Sequence, residues 1–224
     1  MKKCFYLTIL LFVIGCAGPS RIIMAPNYQK HSIRDASLAF IILEDYPYIE
    51  YKGSIEGALG AGDPQRRILQ FFKTQLMRDL MKQVNLKTTF ERSPESHFLV
   101  SNENVSAPEG NVVVELPAKD TYFEFSGIEA DYVLLISKMR LGSQTDEYSA
   151  SRTDEGINTS PSRQLIYNTN FVLWDNRARQ YISYGRIRSL VPIAGEEATR
   201  EEWEKVSQQY VYEIFKPTGF LKAN

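Results

Sequence analysis

Residues 163–190 read RQLIYNTNFVLWDNRARQYISYGRIRSL, and their pattern decides the fold class. Arg163 to Trp174 and Arg179 to Leu190 are two extended runs rich in Ile, Val, Tyr and Phe. Between them Asp175-Asn176-Arg177-Ala178 is hairpin chemistry, since Asp and Asn tolerate a tight turn and bond to its backbone. Upstream, Ser37 to Asp45 (SLAFIILED) is a short continuous apolar run of the kind that makes a buried central strand, and YPYIEY after it leaves the sheet at Pro47. Asp63-Pro64 is a helix start, an N-cap acid before a proline at the first helical position. Leu69, Phe72, Leu76, Leu80 and Val84 follow at spacings of three and four, with Ile68 and Met81 widening the stripe, which predicts a helix over about 64–85.

Strand-like pieces follow at LKTTFE, NVVVEL, TYFEF and DYVLLISKMRL, broken by Pro94, Pro108, Pro117 and Gly127, and all are expected to join the sheet. Thr199-Arg200-Glu201-Glu202 is a capping box, opening a last helix whose Trp203, Val206, Tyr210 and Ile214 share a face and which Lys216-Pro217 ends. The fold class is therefore α/β (α+β): one domain, a mixed sheet with a long first helix and a C-terminal helix packed on it. Its length of 224 residues suits one compact domain or at most two small ones. The 43% hydrophobic and 24% charged composition excludes a disordered chain, a collagen-like repeat and a multi-span membrane protein. With 26 Lys plus Arg against 27 Asp plus Glu, no nucleic-acid partner is expected.

The N-terminus carries an address. Lys2 and Lys3 precede the apolar run Phe5 to Ile14, which rises about 15 Å as a helix, too short to span a bilayer, and so reads as a signal peptide over residues 1–15. Val13-Ile14-Gly15-Cys16 resembles the lipobox of bacterial lipoproteins, which implies that Cys16 is acylated and becomes the mature N-terminus. An ordinary signal peptide cut after Ala17 is the alternative. The two cysteines are Cys4 and Cys16, so the mature body has no internal disulfide. Residues 1–15 hold Lys2 and Lys3 and no acid, so their removal leaves a formal charge of −3. Adhesion to anionic lipid by charge is not expected; attachment falls to the acyl chains. By analogy with enterobacterial sorting, Ala17 favours the outer membrane, facing the periplasm. Residues 16–36 read as the lipidated cysteine and a flexible tether able to reach about 65 Å, ahead of a domain at 37–224.

The order of strand, long helix, the strand Ala130-Asp131-Tyr132-Val133-Leu134-Leu135, a hairpin with Phe171-Val172-Leu173-Trp174-Asp175 and Ile182-Ser183-Tyr184-Gly185, then a terminal helix, resembles lipoproteins related to the N-terminal domain of TolB. That group includes the curli-secretion lipoprotein CsgG and the penicillin-binding-protein activator LpoB. The resemblance covers about residues 37–216, implies a non-enzymatic accessory role, and carries over no functional residue.

Residues 53–62 (GSIEGALGAG) lead into a helix whose first turn holds Arg66 and Arg67, candidates for an anion site because free N–H groups and cations converge there; a plain flexible loop is the alternative, favoured by the nearby Glu56 and Asp63. His31 and His97 have no ligand spacing between them, so no metal or other cofactor is expected. No HExxH, GxSxG or SxxK run occurs, so no catalytic residue is named and an enzyme is not expected, although distant carboxylates could still pair in space. Residues 142–163 form a polar stretch of 22, long for a loop in a compact domain, which reads as a disordered loop, with a functional loop as the alternative. Among 13 tyrosines, Tyr46, Tyr48 and Tyr51 are candidates for an interaction surface, with simple sheet packing as the alternative.

The expected function is a tethered, protein-binding accessory or adaptor in an envelope assembly, secretion or cell-wall complex. The alternatives are a CsgG-like outer-membrane channel subunit and a small-ligand-binding lipoprotein. Arg186 and Arg188 on one face of the second hairpin strand, and Tyr181, Ser183, Gly185, Ile187 and Ser189 on the other, are too polar for a lipid-facing row and count against the channel.

Overall fold

The computed structural model describes residues 20–51, 53–95, 98–107, 110–146, 150–153, 156–159 and 162–223. The signal peptide, Cys4, Cys16 and His97 lie outside the described residues. In chain order the elements are β1 (Arg21–Met24), β2 (Ala36–Ile42), β3 (Tyr48–Ile49), α1 (Ile55–Leu59), α2 (Pro64–Gln83), β4 (Leu86–Glu91), β5 (Val100–Ala107), β6 (Gly110–Pro117), β7 (Tyr132–Asp146), β8 (Ala150–Thr153), β9 (Gly156–Thr159), β10 (Ser162–Asp175), β11 (Gln180–Ile193) and α3 (Arg200–Phe215). The main sheet runs β1-β11-β10-β7-β2-β4, with β3 also paired to β7. β2 lies parallel to β7 and β4, whereas β10 is antiparallel to both β7 and β11, so the sheet is mixed and the chain is a single α/β domain, as the periodicity predicts.

Both helices begin where their caps are written. The Asp63 carboxylate accepts from the Arg66 N–H at 2.8 Å, and Thr199 and Glu202 exchange the two bonds of a capping box. α2 turns Ile68, Phe71, Phe72, Leu76 and Leu80 inward and leaves Met81 exposed, so the stripe widens through Phe71 rather than Met81. α2 and α3 cover one face of the sheet, where Phe40, Leu134, Tyr167, Leu173, Trp203 and Tyr210 are buried together. Phe72 stacks on Tyr167 with ring centroids 4.4 Å apart and meets Trp203 edge-on.

The opposite face is covered differently. β5 and β6 form a two-stranded hairpin outside the main sheet, so NVVVEL does not join it. TYFEF is no strand either; Phe125 makes a single bridge to Ile128, and Phe123 is held by its backbone. Asn176, in the turn between β10 and β11, accepts from the Phe123 N–H and donates to the Phe123 and Ala130 carbonyls. These bonds pin the segment over a smaller core of Val105, Val114, Leu116, Phe123, Val133, Leu135, Val172 and Trp174.

Three further expectations are corrected. Residues 53–62 contain the short helix α1, because Ser54 caps it by accepting from the Gly57 N–H at 3.1 Å. Of residues 142–163, Gly142–Asp146 continue β7, 150–153 and 156–159 pair as β8 and β9, and β10 begins at Ser162; the polar composition lacks the apolar alternation by which a strand is read from sequence. The tether does not reach residue 36. β1 pairs with β11, Ile33 is buried, and the Tyr28 hydroxyl donates to the Thr218 carbonyl at 2.8 Å. Gly185 makes that docking possible: its φ is +152°, and a Cβ there would lie 1.9 Å from the Arg21 carbonyl oxygen. No helix among the described residues is long and apolar enough to cross a membrane.

Candidate docking face

Side-chain alternation sorts the long strands into two sets. On the face away from the helices, the lower halves of β7, β10 and β11 present Val133, Leu135, Val172, Trp174 and Tyr184 to the small core. Their other halves run on beyond the β5–β6 cover. There the register places Arg140 of β7, Asn168 of β10 and Arg188 of β11 directly opposite one another, one row across three strands. Arg186 stands across from Arg21 of β1 on the neighbouring row. A cleft of about 340 Å³ opens over them, lined in part by Glu50, Arg140, Asn168, Arg186 and Arg188.

Like charges gathered on one face of a sheet repel. Glu50 relieves part of this by an ion pair with Arg140 at 2.6 Å, and Arg188 donates to the Gln144 side-chain oxygen at 3.1 Å. The Arg186 Nε and the Asn168 Oδ1 are buried with no hydrogen-bond partner among the described residues. Arg140 is aimed across the edge of the sheet by a bulge in β7 at Lys138 (φ +54°), whose N–H, with that of Met139, donates to the Glu44 carboxylate at 2.6 and 2.9 Å. Its guanidinium then lies 5.3 Å from the centroid of the Tyr48 ring.

The three tyrosines proposed as a surface part company here. Tyr46 and Tyr48 are 49% and 58% exposed; Tyr46 lies with the exposed Leu43 on the segment that joins β2 to β3, and Tyr48 opens β3. Tyr51 is 7% exposed, meets Trp203 edge-on, and its hydroxyl accepts from the Ala198 N–H at 2.5 Å, so it belongs to the core. Burial raises its pKa, as it does for Tyr167 and Tyr210 deep under the helices, and these phenols stay protonated.

Arg66 and Arg67 do not form an anion cradle. The Asp63 carboxylate already occupies the Arg66 N–H, and the Arg67 Nε donates to the Ala61 carbonyl at 2.7 Å, so the helix start is closed by its own cap. His31 is exposed and packs edge-on against Phe220 at 5.3 Å. Among the described residues no group of three or more His, Cys, Asp or Glu could hold a metal ion. Asp131, from the Ala-Asp-Tyr strand start, accepts from the Ser37 N–H at 2.7 Å and pairs with Arg177, which joins the starts of β2 and β7. Asp175 accepts from the Ala178 N–H at 2.8 Å. Asp131 is thus committed to joining two strand starts and Asp175 to its turn. The polar hollow of about 360 Å³ beside them also holds Tyr132, whose pKa burial raises, helped by Asp175 and Asp131.

The arginine row escaped the sequence reading. Arg186 and Arg188 announce a polar strand face by their spacing of two, but Arg140 joins them only through the register of two hairpin pairings.

No family model matches the chain, and no curated protein matches it in sequence. Solved structures resemble it. One, from Helicobacter pylori, is described as a neuraminyllactose-binding hemagglutinin homolog, at 14% identity and TM-score 0.39, with 86% of this chain and 88% of that one covered. A Xanthomonas campestris protein of the DUF330 family shows 12% identity and TM-score 0.36 over 88% and 89% of the two chains. A Caulobacter crescentus protein described as a lipoprotein shows 15% identity and TM-score 0.27 over 42% of this chain and 69% of that one. The structures similar to this chain thus include bacterial proteins described as a lipoprotein and as a DUF330 member.

Proposed function

We infer that the chain is a non-catalytic cell-envelope lipoprotein, held to the bilayer through acylated Cys16, that docks another envelope protein with the Tyr46–Tyr48 edge of its sheet. The observation that carries this reading is the exposure of Tyr46 and Tyr48 beside Leu43, with Arg140 stacked on Tyr48. Tyr and Arg are the side chains in which interface energy concentrates, and the bulge bonded by Glu44 holds this group on a rigid sheet edge. The commitment of Asp131 and Asp175 to structural hydrogen bonds supports a role without catalysis. Ala17 after the cysteine favours the outer membrane, facing the periplasm, and the TolB-like element order favours an accessory in assembly, secretion or cell-wall synthesis. The channel alternative draws no support from the extended end of β7, whose Ser143-Gln-Thr-Asp146 alternates two polar faces where a barrel strand needs an apolar one.

Two measurements test this. Palmitate labelling of the full chain should disappear in Cys16→Ala, and persistent label would refute the anchor. Affinity capture from detergent-solubilised envelope should return a partner that Tyr48→Ala loses at least tenfold, the scale of one interface hot spot of about 1.4 kcal/mol or more. A partner retained equally by Tyr48→Ala and Tyr46→Ala would refute the docking edge.

A further inference from the structure

Two acids are buried in the helix layer, and they are supplied with donors very differently. Glu202, at the start of α3, is 6% exposed and accepts from the N–H groups of Ala194 and Thr199 and from the Thr199 hydroxyl. Asp79, in α2, is 1% exposed, and its two oxygens share a single donor, the side-chain nitrogen of Gln75, at 3.2 Å from each. An ionised carboxylate offers about four acceptor sites, so most of this one goes unanswered. From α3 the Ser207 hydroxyl faces the carboxylate without completing a hydrogen bond, and it is itself buried with no partner among the described residues. The Arg78 guanidinium donates to the Gln75 side-chain oxygen at 3.1 Å, which places the amide between that cation and the acid.

We propose that Asp79 is a proton-operated latch between α2 and α3: protonated, it lets the two helices close on each other, and ionised, it leaves a charge between them that loosens the pair. The cause is the cost of burying a charge. An ion taken out of water needs an opposite charge or several hydrogen bonds, and a carboxyl that keeps its proton avoids that cost. The proton also turns the carboxyl into a donor, able to bond the Ser207 oxygen while its other oxygen keeps the Gln75 bond. Burial raises the Asp79 pKa above its ordinary 3.8, against the opposing pull of Ser207, Gln75, Lys82 and Arg78. Lys82 and Arg78 lie on α2 itself. The charged residues next to Ser207 along α3, Glu204 and Lys205, are paired with Arg200 and Glu201. Of the other elements packed on α2, α1 brings Glu56 and β4 brings Lys87 and Glu91, all exposed, with Glu91 paired to Lys73. In the unfolded chain Asp79 ionises near 3.8 and in the folded chain only at higher pH. Its stabilising contribution is therefore whole below 3.8 and is lost as the pH rises through the folded value. Glu202, better supplied with donors, is shifted in the opposite direction. The latch stands independently of what the sheet edge binds.

Two measurements on the full chain test this. With aspartate carboxyls labelled by carbon-13, the resonance missing from Asp79→Asn identifies Asp79 in the parent, and it should titrate above pH 3.8. Titration at or below that value would overturn the proposal. Asn is the neutral counterpart of the protonated acid, so Asp79→Asn should melt higher than the parent at about pH 8, by about 2 °C or more, and the gap should close as the pH falls toward 3.8. At about pH 8 the amides around Leu76 and Leu80 in α2 and Val206 and Tyr210 in α3 should exchange more slowly in the variant than in the parent. A variant that fails to fold, melts lower than the parent at that pH, exchanges equally fast, or keeps a constant gap across pH would overturn the latch.

Discussion

The two faces of the sheet are closed by different means, and the difference separates what holds this protein together from what it offers to others. Under α2 and α3 the cover is complete: Trp203, Tyr210, Phe215, Leu173 and Phe40 lose nearly all contact with water. On the other face the β5–β6 hairpin and the segment around Phe123 cover only the lower half, and the strands run past them into the arginine row. A fully covered face earns stability from area; a half-covered one keeps chemistry on display.

The comparison breaks most visibly in the covered face. Trp203→Ala should cost about 3–5 kcal/mol in chemical denaturation, since a fully buried indole leaves a cavity between Tyr51 and Phe72 that those rings cannot close. A loss below about 1 kcal/mol would mean that the helices are loosely seated. Gly185→Val comes next. Its Cβ would strike the Arg21 carbonyl, so β1 should leave β11 at a cost of about 2–3 kcal/mol, with faster hydrogen exchange at the Ile22 to Met24 amides and no change in those of α2. Protected β1 amides in that variant would contradict the account of the strap.

Glu202 gives a smaller effect with a definite sign. Burial alone would raise its pKa, but the N–H groups of Thr199 and Ala194 and the Thr199 hydroxyl outweigh burial and hold it below its ordinary value of 4.5. A depressed carboxylate stabilises the fold above its unfolded pKa, and that contribution is lost as pH falls through the folded value. Glu202→Gln should therefore cost about 1 kcal/mol at pH 7, and the gap from the parent should close in acid as pH falls below 4.5 and through the lowered folded value, read as the difference in melting temperature across pH. A gap that widened in acid would reverse the sign and refute the capping role.

How much of this was legible in the sequence follows from how local each signal is. The capping box at Thr199, the Asp63-Pro64 start and the hairpin around Asn176 were readable because each is settled within a few residues. The docking of β1 was not, because Ile22 and Ile23 find their place only through Gly185, far along the chain. Tyr46, Tyr48 and Tyr51 looked alike in sequence, yet Tyr51 turns inward to the Ala198 N–H while the others stay in water. The arginine row needed the register of two separate strand pairs, information that no window of adjacent residues contains.

The most direct test of the division between a holding face and an offering one is photo-crosslinking in living cells from two positions. A photoreactive amino acid at Tyr48, on the uncovered edge beside Arg140, should trap a discrete envelope partner, and one at Met77, on the exposed side of α2, should trap none. A discrete adduct from Met77 with none from Tyr48 would contradict the account, placing the working surface on the helices.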